Sequence, residues 1–454
     1  MRAIVPLLLL LLAAPQTASA RSGGAATAAG TADAVAWDIV EGLTTEVGPR
    51  PAGTEAEARA RRWAVAKLKA LGFSNVHVEE FRMPVWARGA ETAEIVSPFP
   101  QKMAVTALGS SASTGEAGII AEVIGFMGLD ALRAAPAGSL TGKIAFIDHA
   151  MQPTQDGSGY SAFGPVRFEG PAIAAAKGAA AVVIRSVGTD HHRNPHTGQT
   201  YFPAGVRAIP AGALSLPDAE NLQRMLARGK PVTMRLVLTP RNLADQPSGN
   251  VVAEVPGSDP KAGTVLIGGH LDSWDLGTGA VDDGAGLAIT TAAAKAMLAG
   301  PRRPRRTIRI VWWGAEEVGG FGGNAYFDRH RDENVVMVAE ADFGADRVWR
   351  FQHGFAAGNN DLADRIAAAL APLGIARSDD PADGGADVDK WVKSGVAVVD
   401  LDQDGTRYFD LHHTPDDTLD KIDPMELRQN VAAWTALLWI VANDPGPIAR
   451  RQPQ

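Results

Sequence analysis

From Asn250 onward, short apolar segments alternate with longer helical patterns, and this alternation constrains the fold more than any other feature of the chain. Each segment is almost continuously apolar, which is typical of strands buried on both faces. Strands that alternate with helices favour an α/β fold with a doubly wound, mostly parallel sheet. The predicted strands are Val251 to Val255, Val265 to Gly269, Ile308 to Trp313, Val335 to Ala341 and Val396 to Leu401, and the predicted helices are Gly284 to Leu298, Asn360 to Leu370 and Met425 to Asn443.

The chain before Asn250 has a different texture. Thr54-Glu55-Ala56-Glu57 is a capping box that predicts a helix to about Leu71, and a strand is expected at Val76 to Phe81. The segment from about Gly115 is richer in Gly, Pro and Ala, and we predict that it forms an inserted β-rich domain. The predicted division is a signal peptide (1–20), a flexible tether (21–35), a first α/β segment (36–114), the insert (115–245), a second α/β segment (246–447) and a tail (448–454).

The first twenty residues have the parts of a secretory signal. Arg2 is basic, an apolar run follows from Ile4 to Ala14, and Ala18-Ser19-Ala20 is a small-residue cleavage pattern. The alternative is a membrane anchor, but the apolar run is about half of the roughly 20 residues that a spanning helix needs. We therefore expect an exported protein, periplasmic or secreted, with no membrane attachment after cleavage.

The chain contains no cysteine, and it carries 43 Lys and Arg against 51 Asp and Glu, a formal net charge of -8. The absence of cysteine excludes disulfides, thiol catalysis and iron–sulfur clusters, so any metal must be bound by His, Asp and Glu. The acidic balance disfavours a nucleic-acid partner.

Histidine and acidic residues follow the predicted strands. Chemistry in a parallel sheet collects at the carboxyl ends of its strands, so these residues are expected to lie together. Two histidines and several carboxylates suit two zinc-class ions that share a carboxylate. The clusters are His270-Leu271-Asp272, Asp282-Asp283, Glu316-Glu317, Glu340-Ala341-Asp342 and the segment Tyr408 to Thr418.

Each cluster has its own local interpretation. Asp272 could accept a hydrogen bond from the ring nitrogen of His270 that is not used for a metal. Of the pair Asp282-Asp283, one carboxylate can cap the following helix while Asp282 bridges two ions. Glutamates in adjacent positions point in different directions, so one can bind a metal while the other faces the attacking water as general base.

The ordered set His270-x-Asp272, Asp282-Asp283-Gly284-x-Gly286, Glu316-Glu317, Asp342 and His413-Thr-x-x-Asp417-Thr418 resembles the M28 family of dizinc aminopeptidases. Gly48-Pro49-Arg50-Pro51-Ala52-Gly53 is similar to the N-terminal signature of that family, and the inserted block resembles a protease-associated domain. The segments Asp383 to Asp387, Tyr408 to Thr418 and Asp190 to Gly198 are most similar to the carboxypeptidase Q subgroup. The resemblance implies the zinc-exopeptidase, phosphorylase/hydrolase-like fold.

The resemblance also implies a role for each residue. Asp282 bridges two Zn2+ ions, for which Co2+ or Mn2+ are possible substitutes. His270 and Asp342 complete the ligands of one ion, and Glu317 and His413 complete those of the other. Glu316 is implied as the catalytic acid and base, and Asp272 as the residue that orients His270. A homodimer is also implied.

Several residues have more than one interpretation. His412 could replace His413 as a ligand by spacing alone, and Glu340 ranks second to Asp342. Tyr408 could donate a hydrogen bond to substrate, although a core aromatic is the more common role of such a residue. The histidines of the loop after Asp190 could bind substrate or a third metal or belong to a lid, or they could form a solvated turn; they are His191, His192 and His196.

The function that we predict is an exported metallo-aminopeptidase or dipeptidase. It would hydrolyse the N-terminal peptide bond of dipeptides or short peptides with a free amino terminus, by attack of a metal-bridging hydroxide. The alternatives are a carboxypeptidase or a glutaminyl cyclase on the same scaffold, or a non-catalytic peptide-binding protein.

Overall fold

The computed structural model describes residues 22–450, and the predicted signal peptide lies outside the described residues. The described chain contains two eight-stranded sheets. In spatial order, the first sheet comprises β1 (Ser74–Ala87), β10 (Arg241–Val255), β12 (Thr307–Trp313), β11 (Thr264–His270), β13 (Val335–Glu340), β16 (Ala397–Gln403), β14 (Val348–His353) and β15 (Ala376–Arg377).

The second sheet is formed by strands between Glu91 and Leu238, and this stretch is called the second-sheet unit below. In spatial order its strands are β3 (Gln101–Met103), β2 (Glu91–Ser97), β9 (Thr233–Leu238), β5 (Ile119–Met127), β6 (Ile144–Asp148), β7 (Ala181–Arg185), β8 (Ala211–Leu214) and β4 (Val105–Ala107).

The helices of the described chain are α1 (Ser22–Gly42), α2 (Glu55–Ala70), α3 (Gly128–Ala134), α4 (Ser158–Phe168), α5 (Gly170–Ala176), α6 (Leu216–Leu226), α7 (Ala285–Leu298), α8 (Phe321–His330), α9 (Asn360–Leu370), α10 (Asp389–Lys393), α11 (Tyr408–Leu411) and α12 (Pro424–Asn443). None of them is long and apolar enough to cross a membrane. The Thr54 side chain caps α2 by accepting a hydrogen bond from the amide of Glu57, as the capping box predicts.

The first sheet has the predicted α/β architecture. Strands β12, β11, β13 and β16 pair in parallel, whereas β10 pairs antiparallel with both β1 and β12 on one side and β14 pairs antiparallel with β16 on the other. One face packs against α1, α2, α7, α9 and α12, and the other packs against α8 and α10. The doubly covered, mostly parallel sheet is therefore confirmed, with its parallel part confined to the centre.

The start of the chain differs from the expected flexible tether. Helix α1 begins at Ser22, and from Ala32 onward it buries a face that includes Ala36, Ile39 and Val40. The sequence is rich in alanine, which favours a helix, and the apolar face packs into the same core as α7 and α12. Tertiary packing explains why a small-residue segment is ordered here.

The second sheet begins earlier in the chain than residue 115, the predicted start of the insert. Strands β2, β3 and β4 lie before that residue, yet they pair within the second sheet. Strand β2 pairs with β9 and β4 pairs with β8, each more than a hundred residues later in the chain, so local sequence texture could not reveal these pairings. The division into domains, and the assignment of the insert as protease-associated-like, stay predictions.

Candidate metal centre and cleft

Two clusters of possible metal ligands lie at the carboxyl edge of the first sheet and share Asp282. In the first cluster, Nε2 of His270 is 2.9 Å from Oδ1 of Asp282 and 3.4 Å from Oδ1 of Asp342. In the second cluster, Nε2 of His413 is 3.0 Å from Oδ2 of Asp282 and 2.8 Å from Oε2 of Glu317. The two oxygens of Asp282 therefore face two different histidines, as a carboxylate that bridges two ions requires.

Strand ends and strained loops position these side chains. His270 is the last residue of β11, whereas Glu317, Asp342 and His413 follow β12, β13 and β16. The carboxyl ends of adjacent parallel strands meet at one edge, which brings residues from distant parts of the chain together. Ala315, next to the glutamate pair, has φ 61°, and His413 has φ 58°. Such left-handed backbone persists where the surrounding structure enforces it, commonly at functional sites.

Asp283 has a structural role beside Asp282. Its carboxylate accepts hydrogen bonds from the amides of His270 at 2.9 Å and Gly286 at 3.0 Å. It therefore caps the start of α7 and ties it to the end of β11, and the adjacent Asp282 is left to face the histidines. Asp283 is thus the carboxylate that caps the helix, and the role of Asp282 as a metal ligand stays a prediction.

Two side chains from distant parts of the chain, Arg50 and Asp417, hold the loop between β11 and α7 in place. Neither residue was assigned this role from the sequence. The buried guanidinium of Arg50 donates to the backbone oxygens of Leu271, Thr278 and Gly279. The carboxylate of Asp417 accepts from the amide of Val281 at 2.6 Å. Both residues belong to motifs quoted for the family resemblance, and only the fold reveals what they contact.

Asp272 contacts His270 differently from the prediction. Nδ1 of His270 lies 2.9 Å from the backbone oxygen of Asp272, whereas the carboxylate oxygen Oδ1 is 3.8 Å away. That Oδ1 instead accepts a hydrogen bond from the backbone amide of Glu316 at 3.1 Å. The prediction that the carboxylate orients the histidine is therefore corrected: β11 turns so that the carbonyl faces the ring, and the side chain reaches the β12 loop.

The alternative residues of each pair have different surroundings. Nε2 of His413 faces the shared cluster, while Nδ1 of His412 lies 3.2 Å from Nε2 of His196. Asp342 contacts His270, whereas Oε2 of Glu340 accepts from the backbone amide of Asp387 at 2.9 Å.

The three histidines of the loop after Asp190 separate in space. His196 is 1% exposed and packs beside His412 and His413, with which it forms a third group of possible ligand atoms. The side chains of His191 and His192 are 71% and 66% exposed and pair with acidic side chains at the surface. Neither of these two lines the cleft described below.

Tyr408 is a buried aromatic that also lines the cleft. Its ring stacks on His412, with 4.5 Å between centroids, and packs at a tilt against Phe343, with 4.6 Å between centroids. Burial, together with the charge of Asp282, raises the pKa of its hydroxyl well above the ordinary value, so Tyr408 stays protonated.

The two clusters open into a cleft of about 580 Å3 between the two sheets. Glu316 lies in its wall beside Asp282, Glu317, Asp342 and His413. The facing wall comes from the second-sheet unit and consists of Tyr160, Arg167, Phe168, Gln199 and Tyr201. The cleft in front of the clusters is therefore lined by both parts of the chain.

The buried acidic groups and histidines of the two clusters shift one another's pKa values. Burial, together with Asp342 and Glu317, raises the pKa of Glu316 well above its usual value. Burial disfavours a charged His413, yet Glu317 and Asp282 raise its pKa to about 9. Burial alone would raise the pKa of Asp282, but hydrogen bonds from His270 and His413 hold it well below the ordinary value.

The residues present fit divalent metal ions. Oε1 of Glu317 is buried without a hydrogen-bond partner, which is costly for a carboxylate unless a cation pairs with it. Imidazole nitrogens and carboxylate oxygens are the ligands that zinc takes when no cysteine is available.

Comparison with known proteins agrees with this geometry. Residues 250–438 match the model of Peptidase family M28. Carboxypeptidase Q of Bos taurus is 35% identical over 404 residues, which is 88% of this chain and 84% of that protein.

Solved structures extend the likeness to almost the whole chain. The crystal structure of a Peptidase M28 precursor from Shewanella amazonensis superposes with a TM-score of 0.92 at 46% identity, and covers 95% of this chain and 99% of that one. A zinc aminopeptidase from Bacillus subtilis superposes with a TM-score of 0.65 at 20% identity, and covers 92% of this chain and 97% of that one. At that identity the second likeness shows the fold alone.

Proposed function

The chain belongs to peptidase family M28, and from this premise we propose that it is an exported dizinc exopeptidase. Its proposed reaction is hydrolysis of the first peptide bond of dipeptides or short peptides that have a free amino terminus.

The contacts of Asp282 carry the proposal. One buried carboxylate with an oxygen toward each of two histidines is the arrangement that a pair of ions needs. His270 and Asp342 would complete the protein ligands of one ion, and Glu317 and His413 those of the other. We propose Zn2+ as the native ion, and the donor set also permits Co2+ or Mn2+.

Glu316 is proposed as the general base and acid. When bound, the divalent cations would polarise the scissile carbonyl and acidify water at the cleft. Glu316 lines the same cleft, and burial keeps its affinity for protons high. It would take the proton of the attacking water and pass it to the leaving amine nitrogen. Asp272 would hold the β12 loop in place through the amide of Glu316.

Export is proposed from the N-terminal sequence. Residues 1–20 have the charge, apolar run and small-residue pattern of a cleaved signal, so the mature protein is expected in the periplasm or the medium. A homodimer stays a prediction.

The test is an assay of purified protein on a dipeptide and on its N-acetylated form, with and without a chelator. We expect cleavage of the free dipeptide only, loss of activity with chelator and recovery with Zn2+. Cleavage of the acetylated form alone, or activity that survives complete metal removal, would contradict the proposal.

A carboxypeptidase is the second candidate, because the relatives at about 35% identity carry that name. A tripeptide separates the two, since an aminopeptidase releases the first residue and a carboxypeptidase releases the last. Mass spectrometry of early products identifies which residue leaves first.

A further inference from the structure

The second-sheet unit places a buried guanidinium next to the candidate metal centre. Arg167, at the end of α4, is 3% exposed and lines the cleft. Its Nη1 lies 3.4 Å from Nδ1 of His413 and donates to the backbone oxygen of Thr197 at 3.3 Å. Its Nη2 donates to the hydroxyl of Tyr160, and its Nε has no hydrogen-bond partner.

Arg167 has no acidic partner of its own. Among the residues that the structure describes, no carboxylate lies within ion-pair distance of its guanidinium, although most of the other arginines near the sheet junction are paired. Burying a cation without a counter-charge costs several kcal/mol. The nearest cluster carboxylates, Asp282 and Glu317, pair with His413 instead.

The loop above Arg167 is shaped to fit the guanidinium. A Cβ on Gly198 would lie 2.3 Å from Nη1 of Arg167, and Gly198 has φ +134°. Phe168 lies below, with its ring 4.7 Å from the guanidinium carbon, and Tyr201 stacks on Phe168 at 5.7 Å. Tyr201 is 49% exposed, so an aromatic surface beside the guanidinium faces the cleft.

A buried acidic group, Asp387, also lines the cleft. Asp387 is 2% exposed and lines the same cleft, and its Oδ2 has no hydrogen-bond partner. It lies within the electrostatic influence of Asp342 and Asp272, on the side of the first cluster, whereas Arg167 contacts His413 of the second. A dipeptide carries an ammonium at one end and a carboxylate at the other, and the buried guanidinium of Arg167 is complementary to the carboxylate.

We propose that Arg167 is a specificity residue that binds the free α-carboxylate of the substrate, with the side chain of the C-terminal residue packed on Tyr201 and Phe168. This inference rests on the proposed peptidase function and deepens it. It makes the second-sheet unit part of the substrate site and favours dipeptides with an apolar or aromatic second residue.

The test compares Ala-Phe with its C-terminal amide, Ala-Phe-NH2, on the metal-loaded full-length mature protein. A hydrogen-bonded charge pair contributes enough for the wild-type kcat/KM to be about 10- to 100-fold higher on the free acid. Arg167→Met should bring this acid-to-amide ratio close to one. A purely structural role of Arg167 beside His413 would lower both rates together and leave the ratio unchanged.

Two further variants serve as controls. Arg167→Lys keeps a cation and should retain an intermediate ratio, so it reports on the proposal even if Arg167→Met fails to fold. Arg193→Met removes an arginine of the same unit that pairs with Asp218 outside the cleft, and it should keep the wild-type ratio.

The outcomes are distinguishable. Equal wild-type rates on acid and amide, or a wild-type ratio in Arg167→Met, would overturn the role of Arg167 and leave the peptidase proposal intact. Failure of the metal-loaded wild type to cleave either peptide would overturn both.

Discussion

Asp272 faces His270 with its backbone carbonyl, 2.9 Å from Nδ1, while its nearer carboxylate oxygen stays 3.8 Å away. The carboxylate instead accepts a hydrogen bond from the backbone amide of Glu316. The usual support of a metal-binding histidine, a hydrogen bond to its other nitrogen, is thus supplied by the main chain. The side chain is free to position the loop that carries the proposed general base.

This division of contacts makes Asp272→Ala informative. We expect kcat to fall by about 10- to 100-fold, because the Glu316 loop loses its anchor, while bound metal stays near the wild-type level. Asp272→Asn keeps an acceptor oxygen and should lose less. Steady-state kinetics measures kcat, and elemental analysis measures bound metal. A loss of metal with little change in kcat per bound metal would mean that the carboxylate of Asp272 supports His270 after all.

Glu316→Gln should remove turnover without removing metal. The amide keeps the shape of the side chain but cannot accept the proton, and general-base catalysis contributes about 10²- to 10⁴-fold. The matched control is the neighbouring Glu317→Gln, which should lose metal because Glu317 faces His413. Near-normal kcat in metal-loaded Glu316→Gln would exclude Glu316 as the base.

Metal stoichiometry should be two ions per chain. His270→Ala is expected to reduce it to about one, and Asp282→Asn should lose both because Asp282 faces both histidines. Chelation should lower the thermal midpoint of the wild type, since a ligand at 100 times its Kd stabilises by about 2.7 kcal/mol. The midpoint of Asp282→Asn should not respond to the chelator; two ions retained in that variant would contradict a bridging role.

The metal-free protein should lose stability as the pH rises from about 4 to 7. Burial, with the charges of Asp383 and Asp402, raises the pKa of Asp400 to about 7. A folded-state pKa above the unfolded value of about 3.9 means that the folded chain binds this proton more tightly. The contribution of protonated Asp400 to the free energy of unfolding is therefore complete below about pH 4. It is lost as the pH rises to about 7 and Asp400 ionises in the folded chain.

Asp400→Asn tests this dependence directly. The variant cannot ionise at this position, so its thermal midpoint relative to the wild type should be higher at pH 8 than at pH 5. Asp364→Asn, an exposed aspartate on α9, is the control and should show no such difference. A pH-independent difference between Asp400→Asn and the wild type would show that Asp400 does not titrate in this range.

The close approach of α7 to the sheet should make Gly286 irreplaceable. A Cβ at this position would lie 1.8 Å from the backbone oxygen of Ala341 and 2.3 Å from Oδ1 of Asp283. Gly286→Ala is therefore expected to lower both the thermal midpoint and the bound metal, because it displaces the loop that carries Asp282. Gly358→Ala is the control, since a Cβ there meets nothing within 4 Å.

Much of the fold was predictable because its signals are local. Continuous apolar strands, helical periodicity and the capping box at Thr54 each depend on neighbours within a few residues, and the corresponding elements are present. The site was predictable to the level of clusters, since residues that follow parallel strands must meet at one edge. The segment expected as a flexible tether carries the start of helix α1, and from Ala32 onward this helix packs against distant helices that the local sequence does not reveal.

The sequence by itself determined the family, the α/β architecture and the set of possible ligands, because order, spacing and residue type are properties of the chain. Only the tertiary structure decided that His413 rather than His412 faces Asp282, that the carboxylate of Asp272 contacts Glu316, and that Arg167 enters the cleft from the second-sheet unit. The physical reason is that a side chain's direction depends on the backbone conformation and packing of segments far apart in sequence. Residue spacing restricts which atoms can meet, and the packed core selects the ones that do.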